Sequence, residues 1–299
     1  MTPLEYLRGL LDARLALGAL RWLEASAGEI AAGAPVERFC ALFSLAARHA
    51  RRTALAPSAD ERALAGRLVE GWNPERWSVL ESVRVVLILS RPDLAGEGGA
   101  RALSDAFRYT DEGELCALLR SLALLPGAER FVWRAGEGCR SNMRSVFEAA
   151  ALDTPYPARH FDDLTWRQCV IKCLFVGAPL WRLWGLDERL SPELARMALD
   201  HADERRSAGR LVPHELWLCL GRHAGARGLE ALERELAPAN ANTLGRCGAA
   251  LALARAGEER RLERLTARES VPALLAALAR ARAGETRAAT FQHLEPVKA

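Results

Sequence analysis

The chain has 299 residues, half of them apolar, enough to build a sizeable core in one large domain or two medium ones. Its 49 Leu against 13 Val, 9 Thr and 3 Ile exclude an all-β protein. A net charge of +3, from 39 Arg and 2 Lys against 38 acidic residues, is too mild to indicate a nucleic-acid binder.

Leu4, Leu7, Leu11 and Leu15, widened by Leu10, Leu17 and Leu20, predict one amphipathic helix of about twenty residues at the start. Glu5, Arg8, Asp12 and Arg14 interrupt the apolar core that a secretory signal needs. The longest runs free of Asp, Glu, Lys and Arg, 236–245 and 270–279, are ten residues each. A spanning helix needs about 18 to 20, so the expected location is cytoplasmic, with any membrane association made through a partner.

Helix starts follow. Ser58 with Glu61 and Asp111 with Glu114 have capping-box spacing, and Asn73-Pro74 and Ser191-Pro192 place a cap before a first-turn proline. Trp77 to Leu89 crowds Val83, Val85, Val86 and Ile88 together, but its length and the Glu81/Arg84 spacing favour a buried helix over a strand. Breaks are expected at Gly96–Gly99, Gly136–Gly138, Thr154–Pro157 and Pro238–Asn242. Seven scattered cysteines are read as reduced and mostly buried. Cys169 and Cys173 share a helical face without a second pair at zinc spacing, so no metal or cofactor is called for.

The unusual polar residues concentrate between about 130 and 210. Arg140-Ser141-Asn142-Met143-Arg144-Ser145-Val146-Phe147-Glu148 is expected to open a helix after the glycine loop. Met143, Val146, Phe147 and Ala150 would face the core, with Arg140, Arg144 and Glu148 on a second face. Two guanidiniums near a helix N-terminus suit a phosphate or carboxylate; an Arg144/Glu148 surface pair is the plainer alternative. The glycines lack the third position of a dinucleotide loop. Tyr156 follows in Thr154-Pro155-Tyr156-Pro157, an extended approach to a helix that Asp162 or Asp163 can cap; His160 with these acids could hold a metal or act as an acid/base pair, with a cap plus a surface histidine the plainer alternative. Terpene-synthase metal spacing fails at both Asp162-Asp163 and Asn142/Ser145/Glu148.

Lys172 stands in the apolar run Val170 to Val176, in a chain whose bases are nearly all Arg. A desolvated lysine can serve as nucleophile, base or anion contact; the alternative is a stem packed on the core with its ammonium reaching water. After Ser191, His201 points inward while Asp200, Asp203 and Glu204 form an acidic face answered by Arg205 and Arg206. Trp181 and Trp184 beside Arg182 are candidates for an exposed binding surface. The last third reads as helices near 226–236, 243–256, 258–267 and 271–282.

Together these predict an all-α protein of stacked helical hairpins with α-solenoid, HEAT-like architecture. One domain over 1–285 is expected: an N-terminal part to about 135, a motif-rich centre over about 136–210, repeat-like hairpins over about 211–285, and then a frayed tail over 286–299.

The run Arg140-Ser141-Asn142-Met143-x-x-Val146-Phe147-Glu148-Ala149, with Pro155-Tyr156-Pro157-Ala158 and Phe161, then Lys172-x-Leu174-Phe175-Val176-Gly177 and Gly185-Leu186-Asp187, resembles the EboA family of bacterial metabolite-traffic proteins. Trp77-x-x-Leu80-Glu81-x-x-Arg84, Leu122-x-Leu124-Leu125-Pro126-x-x-Glu129-Arg130-Phe131, Ala195-Arg196-Met197 and Glu204-Arg205 to Gly209-Arg210 are similar to it too, so the likeness covers most of residues 5–255. The resemblance implies partners from the same gene cluster, including a membrane-embedded prenyltransferase. It also implies a role in moving secondary-metabolite precursors, scytonemin monomers among them, from cytoplasm to periplasm. It carries no catalytic residue.

Two functions are compatible with this reading. One is a helical adaptor or carrier that binds a partner enzyme or an anionic or prenylated small molecule without chemistry. The other is an enzyme acting on a phosphorylated or prenylated intermediate. Arg140, Ser141, Asn142, Arg144, Glu148, Tyr156, His160 and Lys172 are the candidate ligand-binding residues in either case.

Overall fold

The computed structural model describes residues 1–294. Sixteen α-helices, joined by short 3₁₀ turns, account for nearly all regular structure, and no strand occurs among the described residues. The protein is all-α. By contacts the chain divides into two compact units, Met1–Thr165 and Trp166–Ala299.

The first unit contains α1 (Pro3–Asp12), α2 (Leu17–Ala31), α3 (Val36–His49), α4 (Ala59–Leu68), α5 (Val79–Leu89), α6 (Glu97–Ala106), α7 (Glu112–Ser121), α8 (Val132–Arg140), α9 (Arg144–Ala151) and α10 (Tyr156–His160). The single starting helix of the sequence is corrected to two. Arg14 reaches back through Nη1 to the carbonyl of Leu10 at 2.8 Å and across through Nε to the carbonyl of Leu55 at 2.7 Å. Its side chain thus takes the acceptor its own backbone N–H would use in a continuing helix, and α1 stops.

The capping boxes form as expected at Ser58/Glu61 and Asp111/Glu114, and two further ones at Thr2/Glu5 and Ser78/Glu81 open α1 and α5. Asn73-Pro74, by contrast, starts only a 3₁₀ turn, because the extended residues Trp77 and Ser78 follow at once. The apolar run of α5 is buried from Val79 to Ile88 apart from half-buried Glu81, and a helix apolar all round belongs in the middle. It packs against α1, α2, α3 and α7, and α7 in turn packs on α9.

The break expected at Gly96–Gly99 falls at the start of a helix, and the one at Gly136–Gly138 lies inside a helix. Gly96 caps α6, and Gly99 sits in its first turn because a Cβ there would come within 2.5 Å of the Asp93 carbonyl oxygen. Gly136 and Gly138 lie within α8. A Cβ at Gly138 would stand 2.8 Å from Ala150 Cβ and 3.0 Å from Leu119 Cδ1, so this glycine allows three helices to approach rather than making a turn.

Helix α11 (Asp163–Val176) carries the boundary between the units. The second unit continues with α12 (Pro192–Ser207), α13 (Gly225–Leu236), α14 (Thr243–Arg255), α15 (Glu259–Thr266) and α16 (Pro272–Arg282). The last four match the expected helices to within a residue or two. Buried from Gly245 to Leu253, α14 is the centre of this unit and packs against α13, α16 and the 3₁₀ segment His214–Cys219.

The expected frayed tail over 286–299 needs correction over its described part. Ala288–Leu294 is a 3₁₀ segment with Phe291 fully buried; residues 295–299 lie outside the described residues. Asp187 explains the anchoring, accepting from Ala288 N at 3.0 Å and pairing with Arg255 at 2.7 Å. A tail too short to show periodicity is held by one aromatic residue and one carboxylate.

None of the seven cysteines forms a disulfide, and all but Cys40 are buried. Burial pushes the Cys116 thiol up to about 11 and the Cys219 thiol up to about 12, keeping both protonated at neutral pH. Brief alkylation with iodoacetamide at pH 7.5, read by peptide mass spectrometry, should label the half-buried Cys40 first. Equal labelling at Cys116 or Cys219 would contradict this burial.

Candidate functional site

The predicted polar face of 140–148 is not one helix. Arg140 ends α8, Ser141 turns the backbone into an extended conformation (ψ 144°), and a new helix begins at Arg144. Asn142 and Met143 are linker residues, and Met143, expected in the core, is 48% exposed. Val146, Phe147 and Ala150 are buried as anticipated. Arg144 and Glu148 form the plain surface pair, Nε to Oε1 at 2.7 Å.

Tyr156 is 1% exposed, its hydroxyl donating to the Ala128 carbonyl oxygen, and His160 packs beside it with ring centroids 4.6 Å apart. Burial pushes the Tyr156 phenol well above its usual value and pulls the His160 imidazole below its own. Both sit as packed, neutral groups. Asp162 caps α11 by accepting from Thr165 N at 2.7 Å, and no group of His, Cys, Asp and Glu suited to a metal occurs among the described residues.

Lys172 belongs to the second unit. It is half-buried, with Nζ 5.0 Å from the ring centre of Phe175, itself 69% exposed. The run that reads as uniformly apolar therefore has a surface side, and the ammonium lies along it. On α12, His201 is mostly buried, and the acidic face is answered in part as expected: Asp203 pairs with Arg206 at 3.9 Å and also with Arg227, while Asp200 pairs with Arg196 and Arg227. Arg205 instead donates to the Leu211 carbonyl oxygen. Trp181 and Trp184 are half-buried rather than exposed; Trp133 is the exposed tryptophan, at 61%.

The first unit contains a cavity of about 200 Å³ that takes Ser145 from α9, not the predicted Arg140, Arg144 or Glu148. Its walls come from the start of α5 (Ser78, Leu80, Glu81, Arg84), the start of α7 (Glu112, Gly113, Cys116) and Arg52 in the loop before α4. Arg84 is the one charge facing away from solvent on α5 and is 1% exposed. Its Nη2 lies 3.3 Å from Glu114 Oε1, its Nε donates to the Phe43 carbonyl oxygen at 3.3 Å, and the guanidinium lies 5.4 Å over the Phe43 ring. Nη1 has no partner.

That free donor lies beside Gly113, where a Cβ would come within 3.3 Å of it and within 2.5 Å of Arg52 Nη2. Glycine at 113 thus leaves room where two guanidiniums converge. Arg52 makes no ion pair or side-chain hydrogen bond among the described residues. The acids of the cavity are engaged: Glu81 takes Arg120 Nε at 2.8 Å and caps Ser78, and Glu112 accepts from the Ser145 hydroxyl. Burial lowers the Arg84 guanidinium from its usual value while Glu114 opposes the shift, and arginine remains charged at neutral pH. Spare N–H donors and occupied carboxylates suit a small anionic group, a carboxylate or phosphate.

Sequence reasoning missed Arg52, Arg84, Glu112 and Gly113 as site residues. The signal for Arg84 was present: one base among Val83, Val85 and Val86 is the same pattern that drew attention to Lys172. Other motif residues are structural. Arg130 donates to the carbonyl oxygens of Leu94, Gly96, Pro126 and Gly127, and Trp77 is 3% exposed.

No helix among the described residues is long and apolar enough to cross a membrane. No curated protein and no solved structure matches the chain. The family model described as metabolite traffic protein EboA matches residues 4–221, a span that contains Arg52, Arg84, Gly113, Ser145 and every site residue expected from sequence. The chain belongs to the EboA family of metabolite traffic proteins.

Proposed function

We propose that the protein is a binding and adaptor protein of an ebo-type gene cluster. Acting on the cytoplasmic side, it holds the anionic group of a secondary-metabolite precursor and presents it to a partner enzyme such as the cluster's prenyltransferase. The carrying observation is the buried Arg84, with its unused Nη1 beside Arg52 over Gly113. A cavity of about 200 Å³ is smaller than the 300–1,000 Å³ usual for whole ligands, so it suits a head group rather than an entire metabolite. Its thiol, Cys116, is held protonated, which favours binding over nucleophilic chemistry.

Gly113→Ala tests this. The new methyl displaces the flexible end of Arg52 and fills the space between the guanidiniums, while the gain in helix propensity keeps stability within about 1 kcal/mol. Native mass spectrometry of protein purified from its own host should show a co-purifying anionic metabolite or cluster protein. In Gly113→Ala, as in Arg52→Ala, that species should fall at least about tenfold, the effect of losing one charge-assisted contact. A wild-type spectrum without such a species, or one unchanged in both variants, overturns the proposal.

A further inference from the structure

The second unit holds a larger cleft, about 450 Å³, enclosed by α13, the Ala237–Pro238 turn, α14 and α15. It lies beyond residues 4–221 and shares no residue with the cavity around Arg84. Its floor is apolar, formed by Leu236 and Leu253, both buried, and half-buried Leu265. Arginines surround that floor. Arg246 is 6% exposed, and its Nε is buried without a hydrogen-bond partner. Arg264 and Arg268 are exposed, and neither forms an ion pair or side-chain hydrogen bond among the described residues.

The cleft's acids leave this charge unbalanced. Glu269 accepts from Ser270 N and Val271 N, both at 2.9 Å, as well as from Arg246 Nη2 at 2.6 Å, so most of its acceptor capacity is used. Glu233 is paired with Arg261. A protein that leaves a buried guanidinium nitrogen unbonded forfeits a hydrogen bond there unless a ligand supplies the acceptor. The volume falls within the range of small-molecule sites, and an apolar floor with a few converging charges is their usual composition.

We propose that this cleft binds a small amphipathic anion, a phosphate or carboxylate head on an apolar body. Arg246, Arg264 and Arg268 hold the head, and Leu236, Leu253 and Leu265 cover the body. The site stands or falls independently of the reading given to Arg52 and Arg84.

The test is isothermal titration calorimetry of the full chain with octyl phosphate, octanol and inorganic phosphate. Octyl phosphate should bind saturably at one site, at least about tenfold tighter than either octanol or inorganic phosphate, because each lacks half of the recognition. Arg264→Ala/Arg268→Ala removes two exposed side chains and should fold normally. It should weaken octyl phosphate at least about tenfold, whereas Arg38→Ala, which removes an exposed arginine of the first unit that lines neither cavity, should leave its affinity unchanged. Equal affinity for octanol, or equal affinity in the double arginine variant, overturns the proposal. A loss confined to Gly113→Ala places the ligand at the other cavity and also overturns it. Binding to phosphatidic acid vesicles without binding to monomeric octyl phosphate would assign the arginines to a lipid surface and reject the cleft.

Discussion

Arg84→Ala is expected to lower the free energy of unfolding by about 3–5 kcal/mol, measured as a shift in the urea denaturation curve. The loss has little to do with the net strength of the Arg84–Glu114 pair, since taking two charges out of water offsets much of their attraction. It comes from what is left behind. Glu114 is 7% exposed, and without the guanidinium its Oε1 faces the interior unpaired, although Oε2 still accepts from Asp111 N at 3.1 Å. The Phe43 carbonyl oxygen loses a donor at the same time. Arg84→Met/Glu114→Gln keeps the volume, retains the Asp111 cap and strands no charge, so it should recover more than half of the loss. A double variant as unstable as Arg84→Ala would mean that the stranded Glu114 carboxylate is not the source of the loss.

Gly248→Ala should be the most damaging single methyl in the second unit, costing about 3 kcal/mol by the same measurement. The added Cβ would stand 3.0 Å from the carbonyl carbon of His214 and closer still to its oxygen. Backbone cannot swing aside as a side chain can, so α14 or the 3₁₀ segment His214–Cys219 must shift, and Trp217 and Leu218 on that segment are fully buried. Gly257→Ala offers a comparison governed by backbone conformation alone, since nothing lies within 4 Å of its Cβ position but its φ is +77°. If Gly248→Ala proved as mild as an ordinary surface change, the close crossing would be wrong.

The helical class was legible from leucine spacing and from the caps spelled out in the first unit, whereas the last four helices were legible as apolar stretches between breaks, three of them without a side-chain cap. Capping boxes at Ser58 and Asp111 appeared where the spacing placed them. What failed was the interpretation of glycine. In Gly96–Gly99 and Gly136–Gly138 the absence of a side chain serves close approach, and a single sequence does not distinguish that use from a turn. The split between Arg140 and Arg144 was hidden for a related reason. Nothing in Ser141-Asn142-Met143 is incompatible with helix, and the break is what lets α9 pack back against α8.

The site was legible only in part. The region around residue 145 was singled out and does reach the cavity, but through Ser145 rather than its more conspicuous neighbours. Arg84 was passed over because its spacing from Glu81 served only as support for a helix, whereas Glu81 pairs with Arg120 and Arg84 with Glu114. A helical spacing rule names which side chains could meet and not which of several competing partners wins.

The glycines at helix crossings also bear on the order of folding. Helices α1, α4, α5 and α7 begin with capping boxes, which stabilise a first turn before any neighbour is present. In α8 and α14 the interior glycines Gly138 and Gly248 lie against neighbouring elements, unlike Gly9 of α1 and Gly66 of α4, which face open space, and each lowers intrinsic helicity by about 1 kcal/mol relative to alanine. These two helices gain their stability only from the surfaces those glycines admit. We therefore expect each to consolidate on neighbours that have already folded, with α14 taking its central position late in the assembly of its unit.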